Sequence, residues 1–549
     1  MEKEKLKPKL FSVIKNYDGK QFAKDVVSGI IVAIIALPLS IALALASGVA
    51  PEQGIYTAII AGFLISFFGG SRVQIAGPTA AFATIVAGIV AKNGMDGLII
   101  ATLIAGVLLI LMGVFRLGTL IKFIPYTITT GFTAGIAVTI VIGQIKDFLG
   151  LTYAKGVKPI ETMEKIEAVI KHIGTLNWQA LVVGVVCLAI LIIWPYINKV
   201  IPGSLIAVLA GIAMVKGLGM KVNTIGDLYT ISSSLPALHI PKMSIYMVRD
   251  LFSDGFTIAV LAAIESLLSC VVADSMINSK HRSNMELVAQ GIGNIGSALF
   301  GGIPATGAIA RTAANVKNGG RTPIAGMVHS IVLVLVLVVL MPYAALIPMP
   351  TIAAILFMVA YNMCGWRTFV ELCKKAPKSD ILVLLVTFVL TVVFDLVVAI
   401  EVGMIIACVL FMKRMSEEAE IKGWKYFDDE NDPDAIELRT VPQSVRVYEI
   451  SGPMFFGAAD RIAEITLKDF TKCLVIRMRG VPAVDATAMH SLELLYEKCK
   501  KNEVQLVFSH VNEQPFHTME KAGFVDKIGR ENFCKHIDDA LERASQIAE

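Results

Sequence analysis

IAGPTAAF at residues 75–82 and GGIPATGAIAR at residues 301–311 decide how this chain reads. In each, Gly and Pro stand just before a Thr- and Ala-rich stretch of helical character, inside otherwise apolar sequence. Proline cannot continue a helix from its N-terminal side but is well suited to begin one. Pro78 and Pro304 therefore predict two places where extended chain becomes a half-helix at membrane depth, starting at Thr79 and at Thr306.

Around these strings, apolar segments fall near 26–46, 53–69, 74–91, 97–115, 120–145, 178–197, 200–215, 253–273, 285–300, 305–316, 322–341, 346–362, 380–395 and 397–413. A helix needs ~20 apolar residues to cross a bilayer, so several of these about fourteen segments are too short to span alone. The first string opens the third of the first seven segments, and the second opens the third of the second seven. Matching positions of this kind mark an inverted repeat with two broken helices. Two unrelated Pro-Gly turns are the plainer alternative, and the matching order weighs against it. The fold class expected is an all-α membrane domain of about 14 transmembrane segments in a 7+7 inverted repeat.

Composition agrees. Of 549 residues, 55% are hydrophobic and 17% charged, below the roughly 25% charged residues of soluble domains. The net charge of +4 and the lack of a basic stripe with interleaved aromatics argue against nucleic acid. The eight Cys are scattered without metal-ligand spacing and read as buried reduced thiols. The Lys-rich N-terminus and the A-x-A in ALALAS allow a signal peptide. The length of the first run and the many that follow favour an uncleaved first span.

With the N-terminus inside, the short loops holding Arg72, Arg116, Lys122, Lys199, Lys280, Arg282, Lys317, Arg321, Arg367, Lys374, Lys375, Lys378, Lys413 and Arg414 fall inside as well. The long connections near 146–177 and 216–252, diluted by Glu161, Glu164 and Asp227, fall outside. Both termini are then cytoplasmic. After Arg414 a charged linker leads into strand–helix alternation. Strands are expected at Ser444–Ile450, Cys473–Met478 and Val504–Val511, and helices at Ala486–Lys500, 513–522 and 533–547, a small α/β domain. The expected boundaries are 1–24, 25–415 (membrane domain), 416–436 (linker) and 437–549.

The chemistry starts at the half-helix tips. Their first N–H groups lack intrahelical acceptors, and each tip behaves like about half a positive charge. Two tips meeting near the midplane make an anion site from backbone, with Thr79, Thr306, Ala80, Gly307 and Ala308 as natural donors. Arg311, expected about one and a half turns into the second half-helix, is either part of that site or snorkels to an interface. Glu265, mid-way along Phe256–Ala273, reads as a coupling-ion residue, with a structural carboxyl as the alternative. Ser266 and Ser269 could assist, or could bond their own backbone. Glu401 and Asp395 flank the last break and read as interfacial. With two tips giving about +1 and Arg311 another, ionised Glu265 leaves about +1 and suits a monoanion, whereas protonated Glu265 suits a dianion.

No P-loop, HExxH or GxSxG occurs, so ATP use and enzyme activity are not expected. GIGNIG at Gly291–Gly296 lies inside an apolar segment and reads as close helix packing. His172, His239, His281 and His329 are not spaced as ligands; no metal or cofactor is expected.

PLSIALALASG, IAGPTAAF, FIPYTITTGFTAGIAV (123–138), ESLLSCVVAD (265–274) and GNIGSALFGGIPATGAIARTAANVKNGGRTPIAG (293–326) resemble the SulP family of anion permeases. VYEISGPMFFGAAD and VPAVDATAMHSL resemble the STAS domain those permeases carry. The resemblance implies core and gate domains, elevator-type alternating access, a homodimer in the bacterial inner membrane, and a possible cytoplasmic regulator at the STAS domain. Carried onto matching positions, Thr79, Ala80, Gly307, Ala308 and Arg311 would face substrate and Glu265 would be the coupling acid. Cyanobacterial bicarbonate permeases of the family have Asp where this chain has Glu265 and Thr where it has Ser269, which makes proton coupling more plausible here than Na⁺. In related STAS domains a phosphorylatable Ser lies in D-S-S-G. Here the string is Asp485-Ala486-Thr487-Ala488, and Thr487 matches that position or simply opens the next helix. The expected function is a secondary transporter of small anions, with sulfate leading and proton as co-ion. Na⁺-coupled bicarbonate, a C4-dicarboxylate, a nucleobase permease on the same fold and a non-transporting sensor are the alternatives.

Overall fold

The computed structural model describes residues 6–119, 125–154, 159–198, 201–241, 244–394, 396–423, 441–457, 461–462, 465–467 and 470–548. Lys122, Lys199, Asp395 and most of the expected linker lie outside them. Two compact units result, Met1–Met404 and Ile405–Glu549.

The membrane unit and the helix that leaves it comprise α1 (Gly19–Ala46), α2 (Pro51–Phe68), α3 (Ala83–Val114), α4 (Tyr126–Leu149), α5 (Trp178–Ile197), α6 (Gly203–Gly217), α7 (Phe252–Ile277), α8 (Ser283–Leu299), α9 (Ile309–Lys317), α10 (Ile324–Ala344), α11 (Met349–Cys364), α12 (Lys378–Val393) and α13 (Leu396–Glu417). Among the described residues, eight helices are long and apolar enough to cross a membrane. The third and fourth apolar segments form one helix, α3, broken at Gly94, whose φ of 68° lies where glycine is free of steric cost. Every apolar segment read from the sequence has its helix.

Two packing sets emerge. Helices α1, α2, α3, α7, α8, α9 and α10 pack chiefly on one another, as do α4, α5, α6, α11 and α12. The first set takes the first four segments of one repeat and their counterparts of the other, a division consistent with the 7+7 arrangement. Lipid offers no hydrophobic drive between helices, so close backbone approach through small residues has to hold them. GIGNIG supplies it: a side chain at Gly291 would strike the Gly106 carbonyl and Ile110 of α3, and one at Gly293 or Gly296 would strike Ile65 or Leu64 of α2.

The two interruptions come together in a two-residue antiparallel ladder. β1 (Ala76–Gly77) pairs with β2 (Thr306–Gly307), with Ala76 opposite Gly307 and Gly77 opposite Thr306. Pro78 and Pro304 thus lie beside one small ladder, from which the two half-helices depart. The first starts with a 3₁₀ turn, Ala80–Phe82, that runs into α3. The second starts at Ile309 and not at Thr306, because the ladder keeps Thr306 and Gly307 extended. Neither proline occupies the first helical position.

The C-terminal unit is a five-stranded sheet in the order β3-β4-β5-β6-β7: β3 (Glu420–Gly423), β4 (Val445–Ser451), β5 (Cys473–Gly480), β6 (Gln505–Ser509) and β7 (Phe533–Cys534). Strands β4 to β7 are parallel, and β3 is antiparallel to β4. On one face, Leu474, Ile476 and Phe508 pack with α14 (Ala486–Lys501), α15 (Glu513–Lys521) and α16 (Phe524–Ile528). On the other, Cys473, Val475 and Val507 pack under α17 (Ile537–Ala548). Two readings need correcting. Residues 420–423, expected in the linker, form β3, and the helix expected over 533–547 starts at Ile537 because Phe533–Cys534 pair with β6.

Candidate functional site

Polar side chains pin the ladder and so position the half-helices. In α8, Asn294 clasps Ala305, accepting from its N–H and donating to its carbonyl at 2.8 Å each. One turn on, Ser297 donates to the Ile303 carbonyl at 2.7 Å, and Thr57 of α2 accepts from the Ile303 N–H. On the opposite strand, Thr312 of α9 accepts from the Ile75 N–H at 3.1 Å, and Asn315 donates to the Val73 carbonyl at 2.8 Å. Each half-helix strand is therefore held by residues of the other repeat or of α8. Buried Glu286 accepts from the N–H groups of Gly70 and Ser71 at 2.8 and 3.0 Å and from Gln290 at 2.9 Å. The spacing Glu286–Gln290–Asn294–Ser297 puts a polar stripe on one face of an apolar helix, a signal in the sequence that a search for isolated mid-segment charges passes over.

Helix α7 runs beside both tips. Glu265 accepts a hydrogen bond from the Thr79 hydroxyl at 2.9 Å, and one turn earlier the Ala262 carbonyl accepts from Thr306 at 3.0 Å. Thr79 and Glu265 are half-buried, whereas Thr306 is fully buried. Sequence-expected residues thus divide. Thr79, Glu265 and the start at Ala80 come together, with the first intrahelical bond running from the Phe82 N–H to the Thr79 carbonyl. Thr306 and Gly307 lie within the ladder, and the Ala308 N–H is taken by the Ile75 carbonyl at 2.9 Å, which leaves the first turn of α9, not these residues, as the source of free N–H groups on that side. Ser269 faces Thr312 at 3.4 Å, and Ser266 accepts from Gln74 at 2.9 Å; both bond across helices instead of to their own backbone.

Arg311 is the third residue of α9, inside its first turn and deeper than expected. Only 3% exposed, it does not snorkel. Its Nη2 donates to the Pro78 carbonyl at 3.1 Å and to Ser40 of α1 at 3.4 Å, while Nη1 has no hydrogen-bond partner among the described residues. One cation thus ties the start of one half-helix to the start of the other. Its charge adds to both positive tips, and Glu265 is the carboxyl beside the first. Glu401 is exposed. Of the histidines, His281 bonds Asp274 at 2.7 Å and His239 bonds Asp96 at 3.2 Å, both away from the ladder. In the C-terminal unit, Asp485 caps α14 by accepting from the Ala488 N–H at 2.8 Å, so Thr487 is an exposed second helical residue and not the cap.

Two broken helices meeting tip to tip inside a two-set bundle define a multi-pass membrane carrier. The chain belongs to the sulfate permease family, which matches residues 22–387, and a STAS domain matches residues 436–540. It is 40% identical over 96% of its length, and 98% of the relative's, to the Bacillus subtilis (strain 168) protein named "Putative sulfate transporter YvdB". It is 31% identical to the bicarbonate transporter BicA of Picosynechococcus, over 95% of this chain and 94% of that one. These relatives are named as transporters, not enzymes. The murine Slc26a9 anion transporter, solved in the inward-facing state, shares the fold with a TM-score of 0.88 at 18% identity, covering 98% of this chain and 94% of that one.

Proposed function

We propose that this chain is a secondary active transporter of small inorganic anions, with sulfate as substrate and proton as co-ion. The observation that carries the reading is the Thr79–Glu265 hydrogen bond of 2.9 Å at a half-helix tip, beside the Arg311 tether to Pro78. The anion sits against the N–H groups of Ala80 and of the first turn of α9, where backbone dipoles favour negative charge. Protonation of Glu265 removes the one carboxylate at the first tip, so a dianion binds best when the proton is already aboard. The name of the Bacillus relative supports sulfate. The set containing α1, α3, α7 and α9 then slides as an elevator against the set containing α4 and α11, within a homodimer whose termini are cytoplasmic. The membrane domain spans 25–415 and the STAS domain 437–549, with β3 (Glu420–Gly423) added to the edge of its sheet from the preceding stretch. Phosphate on exposed Thr487 would lie at the positive end of α14 and offers a route for regulation.

The test is uptake of labelled sulfate, bicarbonate and succinate into proteoliposomes, each with and without a pH or Na⁺ gradient. Sulfate uptake driven by an inward proton gradient is expected, and no uptake of any anion would end the reading. Bicarbonate with Na⁺ is the second reading, favoured by the 31% identity to BicA. Glu265 and Ser269 stand against it, because the bicarbonate permeases of the family resemble this chain with Asp and Thr there.

A further inference from the structure

Between α11 and α12 lies a ten-residue helix, Trp366–Lys375, with no buried residue. Its sequence WRTFVELCKK is strictly two-faced. Trp366, Phe369, Val370 and Cys373 recur at i, i+3, i+4 and i+7, while Arg367, Glu371, Lys374 and Lys375 occupy the opposite side. The apolar face is docked only in part: Phe369 stands 5.2 Å from Phe388 of α12, ring centre to ring centre, the helix also meets α4, and the Trp366 indole N–H donates to the Tyr361 hydroxyl at 3.4 Å. Trp366 and Val370 stay 46% and 40% exposed, which a water-facing surface would penalise. Arg367 lies over the Trp366 ring at 5.6 Å, and Lys375 pairs with Glu371 at 2.7 Å, which uses the one acid present. Lys374 and, just beyond the helix, Lys378 complete four basic groups against one acid, all exposed.

A helix too short to span, joined at both ends to membrane helices, apolar along one side and basic along the other, belongs in the headgroup layer. Tryptophan at its start suits that depth, and clustered basic groups beside membrane helices attract anionic leaflets. We infer that Trp366–Lys375 is a docking surface for anionic phospholipid headgroups of the cytoplasmic leaflet. Arg367, Lys374 and Lys378 hold the phosphates, and Trp366 and Val370 enter the acyl boundary. The helix touches α4 and α12, both of the second packing set. Lipid held there would fix that set in depth while the other moves. This role rests on the proposed orientation, with the loop facing the cytoplasm.

The full-length protein, purified and reconstituted in nanodiscs of mixed phosphatidylglycerol and phosphatidylcholine, provides the test. Native mass spectrometry should find phosphatidylglycerol retained over phosphatidylcholine, with free inorganic phosphate unable to displace it. In the triple variant R367Q/K374Q/K378Q, retention should fall roughly tenfold or more. Uptake should rise with phosphatidylglycerol content for the wild type and stay flat for the variant, the two being equal in pure phosphatidylcholine. Equal lipid retention in wild type and variant overturns the proposal, and so does displacement by phosphate. Labelling of Lys374 by an impermeant amine reagent from outside intact cells, with lipid selectivity intact, overturns the orientation alone and leaves the lipid surface standing.

Discussion

At the scale of single residues, the proposed site holds two ionisable groups that make unlike contacts. Glu265 accepts one hydroxyl and is half-buried, and the proposed coupling has this carboxyl take up the proton. Glu265→Gln keeps the shape and removes the titration. Sulfate uptake by that variant should lose its dependence on a pH gradient while exchange persists, as a comparison of gradient-driven uptake with counterflow would reveal. An unchanged response to the gradient would remove Glu265 from coupling. Arg311 is different, since one Nη2 bridges the Pro78 carbonyl and the Ser40 hydroxyl. Charge-assisted hydrogen bonds contribute about 1.5–3 kcal/mol, so Arg311→Ala should lower uptake by roughly tenfold to a hundredfold. Arg311→Lys should recover only part, because an ammonium lacks the planar fork. In the C-terminal unit, burial pushes the Cys473 thiol up to about 12 and the Cys499 thiol up to about 11 from the ordinary 9.0. Folding therefore favours the protonated thiols, so this contribution to stability is intact below pH 9 and fades as pH climbs toward those values. Urea midpoints measured from pH 7 to 10.5 should hold steady to about 9 and then decline, and alkylation at pH 8 should spare both thiols until urea exposes them.

At the scale of elements, what holds a helix is what surrounds its backbone. Gly291 meets the Gly106 carbonyl so closely that any side chain must push α8 off α3. Overpacking of this kind costs about 1–3 kcal/mol, so Gly291→Val should lower the melting temperature of the detergent-solubilised protein, whereas Gly88→Ala, with open space at that position, should not. A Gly291→Val melting curve matching the wild type would mean the α3–α8 contact is looser than drawn. The same scale explains what the sequence made legible. Apolar runs and the Pro-Gly interruptions carry strong periodic or conformational signals, so every membrane segment and both broken helices could be read. The ladder of Ala76–Gly77 with Thr306–Gly307 could not be, because two-residue strands have no alternation to detect and their partners lie far apart in sequence. Placing the second half-helix at Thr306 follows from that omission, and so does the misplaced depth of Arg311. Thr79 and Glu265 stand out in the sequence because one opens a helix and the other is an acid in the middle of an apolar run, and the fold sets them 2.9 Å apart. The contacts of Asn294, Thr312 and Asn315 were missed because neutral amides and hydroxyls look ordinary until their carbonyl partners are known.

At the scale of the whole molecule, the chain joins two units that are stabilised by different solvents. The membrane unit relies on small-residue contacts and satisfied polar groups, whereas the C-terminal unit has a water-built core on each face of its sheet. That second core makes independent folding of the C-terminal unit an expectation, and the sheet order specifies where the cut must fall. β4 would be an edge strand without β3, whose four residues pair Glu420 with Ser451, Ile421 with Ile450, Lys422 with Glu449 and Gly423 with Tyr448. An unpaired edge next to the buried Glu449–Arg477 ion pair, 3.1 Å across, would open one side of that pair to water and offer a template for association between copies. A fragment of residues 418–549 should therefore be monomeric by light scattering and unfold cooperatively in urea. A fragment of residues 437–549, cut where charge patterning alone would begin the domain, should lose roughly 1–3 kcal/mol of stability and self-associate as its concentration rises. If both fragments share one urea midpoint and one mass in solution, β3 contributes nothing to the sheet and the unit begins at β4.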